Sequence, residues 1–457
     1  MKNVNSTHLS KYFTSIIFIS LLIQYIIVKR ALGLWETACA IAHDKGRGTA
    51  NTCMVVYIKG EVDFFLLKRA FYNLYCRHPL LRATYFRETN TYFFQTNVDF
   101  DKVPIEQLIT TDDNAWFEKF LQILKEPYPV SKYLWQSILV TSKVNPKHHY
   151  LLIGLHHSIL DGASQLSILN DLLRFYEQLE QGQFPDVVSL PLISAIEYQL
   201  PSPISWEQYN KNQCTINNLF GPDSKLKFND FSAKKIETKV LFCDFDASIS
   251  ERIQALCKER RVKMTAVINA ALLFAASKLE QFEKLSLHVA VNLRHYAQPA
   301  IAPEHVGCFV SVVKTLHSVD KNTHFWHLVQ HYQYQFDNNF YLTGLTPKKF
   351  DAEELVDRFE LPEYSGRREF TEGFGISNWG KIDFPKHFGS LTVKGIHRGS
   401  GRQIGDFTYF LHIATINNKI WGAFSYVEPM MATTWMKRYI KNFREIIKCL
   451  VLNGNFG

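Results

Sequence analysis

One stretch constrains this chain more than any other. Residues 149–156, HYLLIGLH, form an apolar run of strand length that stops on two adjacent histidines, His156 and His157. Asp161-Gly162 follows, and then residues 163–181 place Leu166, Leu169, Leu173, Tyr176 and Leu179 on one face at helical spacing. A buried strand that turns into a long amphipathic helix is an α/β unit. It delivers the histidines and the acid to the turn between the two elements. Adjacent strand residues point to opposite faces, which argues against a metal shared by His156 and His157, and no metal is expected.

The flanking sequence reads in the same terms. Residues 52–60 are β-branched and apolar and read as a strand. Asp63 caps a helix that carries Phe64, Leu67, Ala70, Phe71 and Leu74 and ends at Pro79. Short strands follow near 82–87 and 91–96, a helix at 113–125 and a strand at 134–142. His148-His149 has no Asp-Gly behind it and reads as a surface turn. Five prolines break the pattern between 182 and 235, which reads as an interdomain connection. The second half restarts as strand 238–246, helix 248–261, helix 265–281 and strand 285–292. Residues 408–427 read as two antiparallel strands joined at Asn417-Asn418, before an amphipathic helix at 432–450. Gly399-Ser400-Gly401 reads as a turn.

Composition limits the partners. The formal net charge is +8, but Lys and Arg are scattered, so no nucleic-acid arm is expected. None of the eight cysteines forms a C-x-x-C pair, and reduced thiols in the cytoplasm are expected. Residues 13–28, FTSIIFISLLIQYIIV, would make a helix about 24 Å long, short of the ~30 Å hydrocarbon core. The segment reads first as a membrane-associated helix, second as a buried or start-site segment and last as a cleaved signal.

Chemistry narrows the motif further. An imidazole titrating near neutrality can take a proton from an alcohol or amine as it attacks a carbonyl carbon. The run His156-His157-Ser158-Ile159-Leu160-Asp161-Gly162 resembles the active-site motif of the CoA-dependent acyltransferase superfamily. That group includes chloramphenicol acetyltransferase, peptide-synthetase condensation domains, alcohol acetyltransferases and polyketide-associated acyltransferases. Ile58–Asp63, Arg77–Arg82, Val291–Arg294, Glu304–Phe309, Ser377–Gly380 and Phe424–Pro429 resemble further family segments. The D-F-G-W-G signature of the plant branch is absent.

The resemblance implies an α/β fold, a two-domain chloramphenicol-acetyltransferase-like sandwich in which each half is a mixed sheet with flanking helices. The expected division is a hydrophobic segment 1–30, an N-terminal subdomain 31–181, a connection 182–235 and a C-terminal subdomain 236–450. His157 would be the general base, with His156 beside it in the catalytic motif. Asp161 would pair with Arg294 and hold the loop. Gly162 would leave room for substrate, and Asn378 could help stabilise an oxyanion. The implied reaction is O- or N-transfer of an acyl group other than aminoacyl. The donor would be acyl-CoA or an acyl-carrier thioester, the acceptor a small alcohol or amine, with no bound cofactor. A carrier protein is a possible partner, as is a membrane through residues 13–28. The alternative is a non-catalytic, condensation-like module that binds a carrier protein or another partner.

Overall fold

The computed structural model describes residues 27–46, 48–201, 204–220, 226–227, 237–343, 347–358, 370, 373–402 and 407–454. Most of the apolar N-terminal segment, residues 13–26, lies outside them. Two six-stranded mixed sheets, each flanked by helices, carry the fold. The first sheet runs His387–Phe388, Leu391–Ser400, Asn51–Lys59, His148–His156, Trp135–Ser142, Ile105–Thr110. The second runs Val310–His317, Leu285–Asn292, Phe374–Lys381, Tyr409–Ile416, Lys419–Glu428, Glu237–Phe242. A small third sheet joins Lys29–Ala31, Thr91–Thr96 and Ala83–Glu88.

Local chemistry accounts for the elements. The Asp63 carboxylate accepts from the Phe65 and Leu66 amides, so the helix Phe64–Arg77 starts where its orphan N–H groups are satisfied. It ends at Arg77, two residues before Pro79. Asn417 and Asn418 both have positive φ, 51° and 61°, the backbone that closes a two-residue hairpin in register with the sheet twist. The helix Thr433–Asn453 buries Met436, Tyr439, Ile440, Phe443, Ile446, Ile447 and Leu450 against the second sheet's core. Each such side chain contributes about 1.5–3 kcal/mol on leaving water.

Several boundaries differ from the sequence reading. The strand Leu391–Ser400 lies in the 236–450 segment, yet it pairs antiparallel with Asn51–Lys59 in the first sheet. Period-two patterning tells which face a residue takes and is silent on which sheet a strand joins. Gly399-Ser400-Gly401 is accordingly the end of a strand and its exit, not a free turn. A Cβ on Gly401 would meet the carbonyls of Gly48 and Leu124, so glycine serves close packing there. His149 is 4% exposed at the start of the motif strand, bonded to Thr141 Oγ1 and the Gly60 carbonyl; it is no surface turn. Residues 182–235 hold a helix, Trp206–Phe220, and a packed stretch in which Ile196 and Leu200 are buried and the Glu197 carboxylate accepts from the Leu34 amide. Proline spacing does not report such tertiary burial. Lys29 and Arg30 belong to the folded unit, Arg30 gripping Glu36 at 2.7 and 2.8 Å. Among the described residues no helix is long and apolar enough to cross a membrane.

Candidate active site

The motif strand His148–His156 lies inside the first sheet, between Asn51–Lys59 and Trp135–Ser142. A short 3₁₀ turn, His157–Ile159, then carries the chain into the helix Gly162–Glu180. The turn is pinned at its start, where the His157 amide donates to the Ala50 carbonyl at 2.9 Å. His156 is fully buried, and its Nδ1 caps the turn by accepting from the Ser158 amide at 3.1 Å. Burial, with His43 and His157 close by, pushes its pKa well below the ordinary imidazole range. His156 is thus spent on holding the turn.

His157 remains partly accessible. Its Nδ1 is enclosed without a conventional hydrogen-bond partner, and its ring meets the Cys308 sulfur. Burial pulls the imidazole pKa down; the contact with that sulfur opposes burial and lifts the pKa on balance. Cys308 also touches the Cys39 thiol, and that contact together with burial keeps Cys308 well above the usual thiol range, hence neutral.

Asp161 does two jobs at once. Its Oδ1 caps the helix by accepting from the Ser164 amide at 2.9 Å. Its two oxygens also take Arg294 in a fork, Nη1 to Oδ2 at 2.7 Å and Nη2 to Oδ1 at 3.1 Å. Oδ2 accepts from the Phe309 amide as well, at 3.0 Å. Both side chains are nearly sealed, with 3% and 4% exposure for Arg294 and Asp161. Burial alone would raise the Asp161 pKa, but Arg294 and the Ser164 amide outweigh it and hold the carboxyl below its ordinary value. The Arg294 fork also reaches Ser164 Oγ at 2.8 Å, Asn292 Oδ1 at 3.2 Å and the His305 carbonyl at 3.2 Å. One knot therefore ties the motif turn, the end of Leu285–Asn292 and the loop 304–309.

Two residues expected to meet substrate have close neighbours within the chain. A Cβ on Gly162 would collide with the Trp379 indole, so the space beside that glycine belongs to a side chain of the second sheet. Asn378 follows strand alternation: while Trp379 packs on Gly162, the Asn378 amide donates to Thr265 Oγ1 at 3.0 Å and its oxygen accepts from the Gly380 amide at 2.8 Å. Asn378 lines a separate cavity of about 140 Å³ with Lys263, Thr265 and Tyr332.

Two side chains that the sequence reading left unassigned, Arg398 and His412, lie close enough to His157 to act on it or feel its charge. Arg398 is 6% exposed, and its guanidinium lies over the Trp379 ring at 4.0 Å. His412, 5% exposed, lines the same narrow cavity with Trp379, Arg398 and Trp421. Burial, then Arg398, His157 and Arg402, keep His412 neutral by pushing its pKa far down. The sequence held a faint signal for His412 alone, a single His inside an otherwise largely apolar strand. Among the described residues no three His, Cys, Asp or Glu side chains cluster as metal ligands.

Comparison with known proteins adds to this geometry. The family model described as the condensation domain matches residues 44–455. Surfactin synthase subunit 2 of Bacillus subtilis (strain 168) is 24% identical over 426 residues, which is 89% of this chain and 11% of that protein. Surfactin synthase subunit 1 of the same organism is 23% identical over 337 residues, 72% of this chain and 9% of its own length. The chain thus spans about a tenth of the curated relatives it matches. Among solved structures, trichothecene 15-O-acetyltransferase from Fusarium sporotrichioides superposes with a TM-score of 0.74 at 11% identity, covering 92% of this chain and 94% of that one.

Proposed function

Because this chain belongs to the condensation-domain family of acyltransferases, we propose that it transfers an acyl group from a thioester to a small alcohol or amine, with His157 as general base. The observation that carries this reading is the partly accessible His157, fixed on a turn that the Asp161–Arg294 knot holds rigid. Neutral His157 takes the acceptor proton as the acceptor oxygen or nitrogen bonds to the thioester carbonyl carbon. The tetrahedral oxyanion collapses, the C–S bond breaks, and the proton passes from His157 to the departing sulfur. An ester or amide and a free thiol result, with no acyl-enzyme. His156 acts through the turn, and Asp161 through Arg294; neither touches substrate.

Both acyl-CoA and a carrier-bound thioester serve as candidate donors. The matched relatives are synthases of far greater length, which favours a carrier protein, while the likeness in fold to an O-acetyltransferase favours a small-molecule acceptor and an acyl group other than aminoacyl. The test is thiol release from a panel of acyl-CoAs and carrier-bound acyl and aminoacyl thioesters, with pooled alcohols and amines. His157→Ala should lower turnover by about 10²–10⁴ and leave folding intact. Equal turnover in that variant would overturn the assignment, and absence of acceptor-dependent release from every donor would leave the binding-module reading instead.

A further inference from the structure

The chamber beside His157 holds an imbalance of charge. Burial lowers the Arg398 guanidinium to about 9, so it stays cationic at neutral pH. Its Nε and Nη1 are both buried without a hydrogen-bond partner, and among the described residues no ion pair reaches it. Both ring nitrogens of neighbouring His412 are likewise unpartnered. Among the described residues Asp161 is the acid whose charge acts on Arg398, and its oxygens are already taken by Arg294, Ser164 and Phe309. A buried cation with two idle donors is costly unless something completes it.

The idle donors have a shape. Nε with Nη2 forms the flat side of the guanidinium and Nη1 with Nη2 its end, either of which grips two oxygens of one carboxylate, and among the described residues no hydrogen bond reaches Nη2 either. The Trp379 ring under the plane fixes its orientation. Paired parallel donors match the two oxygens of a carboxylate, whereas a developing oxyanion offers them a single oxygen. Arg398 comes from the first sheet, at the register position opposite Met54, whereas Trp379 and His412 come from the second, so the chamber lies between the sheets. Its free volume is only about 10 Å³, that of a single water-sized group, which excludes the body of a substrate. We infer that Arg398, supported by an N–H of His412, binds a carboxylate carried by one of the two reactants. The inference rests on the acyl-transfer reading only for the word reactant; the anion site stands on its own geometry.

The test has two parts. In the first, succinate and its neutral counterpart succinamide are titrated calorimetrically into wild type, His157→Ala, Arg398→Lys and Arg398→Met. Succinate should bind wild type and His157→Ala alike, at least tenfold more weakly to Arg398→Met, and to Arg398→Lys in between; succinamide should not compete. Arg398→Met should also unfold at a higher temperature than wild type, since no ion pair is broken. Equal succinate binding to wild type and Arg398→Met, or binding to neither, overturns the site. In the second, succinyl-CoA is compared with butyryl-CoA as donor, and lactate with lactamide as acceptor. A preference for the carboxylated member in one arm, lost at least tenfold in Arg398→Met, assigns the carboxylate to that reactant. An equal loss for charged and neutral substrates would make Arg398 an oxyanion or scaffold residue and refute the inference. Should no donor support transfer while succinate binding still depends on Arg398, the acyl-transfer reading fails and the anion site survives.

Discussion

Arg294 and Arg398 are the same residue at the same burial, 2% and 6% exposed, a short way apart around His157, and they live in opposite surroundings. Arg294 spends both Nη groups on Asp161, Ser164, Asn292 and His305. Arg398 leaves Nε and Nη1 idle over the Trp379 face. A guanidinium that meets its acid within the chain is part of the scaffold. One that lacks it is held in readiness for something that arrives, and the scaffold must supply the stability that such a residue withholds.

The largest expected effect breaks the first region. Arg294→Met strands the Asp161 carboxylate among apolar neighbours and should cost about 3–5 kcal/mol of unfolding free energy, whereas Arg398→Met should raise it by about 1 kcal/mol. Denaturant unfolding of the two variants side by side reads the difference. Losses of similar size in both would erase the distinction between scaffold and waiting cation.

A smaller effect sharpens what Asp161 does. Asparagine caps helices about as well as aspartate, so a mere cap would lose only a few tenths of a kcal/mol in Asp161→Asn. The fork onto Arg294 predicts about 2–4 kcal/mol, because a neutral amide leaves the guanidinium uncompensated. The sign of the pH dependence agrees: the folded pKa of Asp161 lies below its ordinary value, so its contribution is complete above about pH 4 and fades only as pH falls through the folded pKa. Wild-type stability should therefore fall more steeply than that of Asp161→Asn on acidification. Parallel curves would reduce Asp161 to a cap.

The two arginines also differ in how far a sequence can announce them. Arg294 follows Val291-Asn292-Leu293 and was reachable because that segment and the HHxxxDG stretch resemble parts of one family. Elements with their own caps and periods were readable too, such as Asp63–Arg77, strand 285–292 and the Asn417–Asn418 hairpin. Arg398 had no such help. Its meaning depends on a strand, Leu391–Ser400, crossing to the first sheet, and on a counterion that is missing among the described residues around it. Neither fact is local. The neighbours of Asn378 and Gly162 were hidden for a related reason: strand alternation gives Trp379 the place beside Gly162 and turns Asn378 to Thr265, which the resemblance does not announce.

The smallest effect concerns the residue that stands between the two regions. Cys308 lies in the loop 304–309 that the Arg294 knot fastens, and its sulfur faces His157. Burial works to lower the His157 pKa and Arg398 adds to that, while contact with the Cys308 sulfur favours the imidazolium. The balance leaves His157 above the ordinary imidazole value of about 6.5. A general base works in its neutral form, so kcat/KM should fall as pH drops, half-lost at a pH above 6.5. Cys308→Ala removes the raising contact and leaves burial and Arg398 in place, so the acid limb should move to lower pH while the plateau at high pH stays within about twofold. Below the wild-type midpoint the variant should then be the faster enzyme, an outcome that mere loss of packing could not produce. The removal of Arg398's positive charge works the other way: Arg398→Met should move the same limb to higher pH. A pH–rate profile of wild type and the two variants decides it, and a limb that stays fixed in both would mean that neither the thiol nor the waiting guanidinium acts on His157.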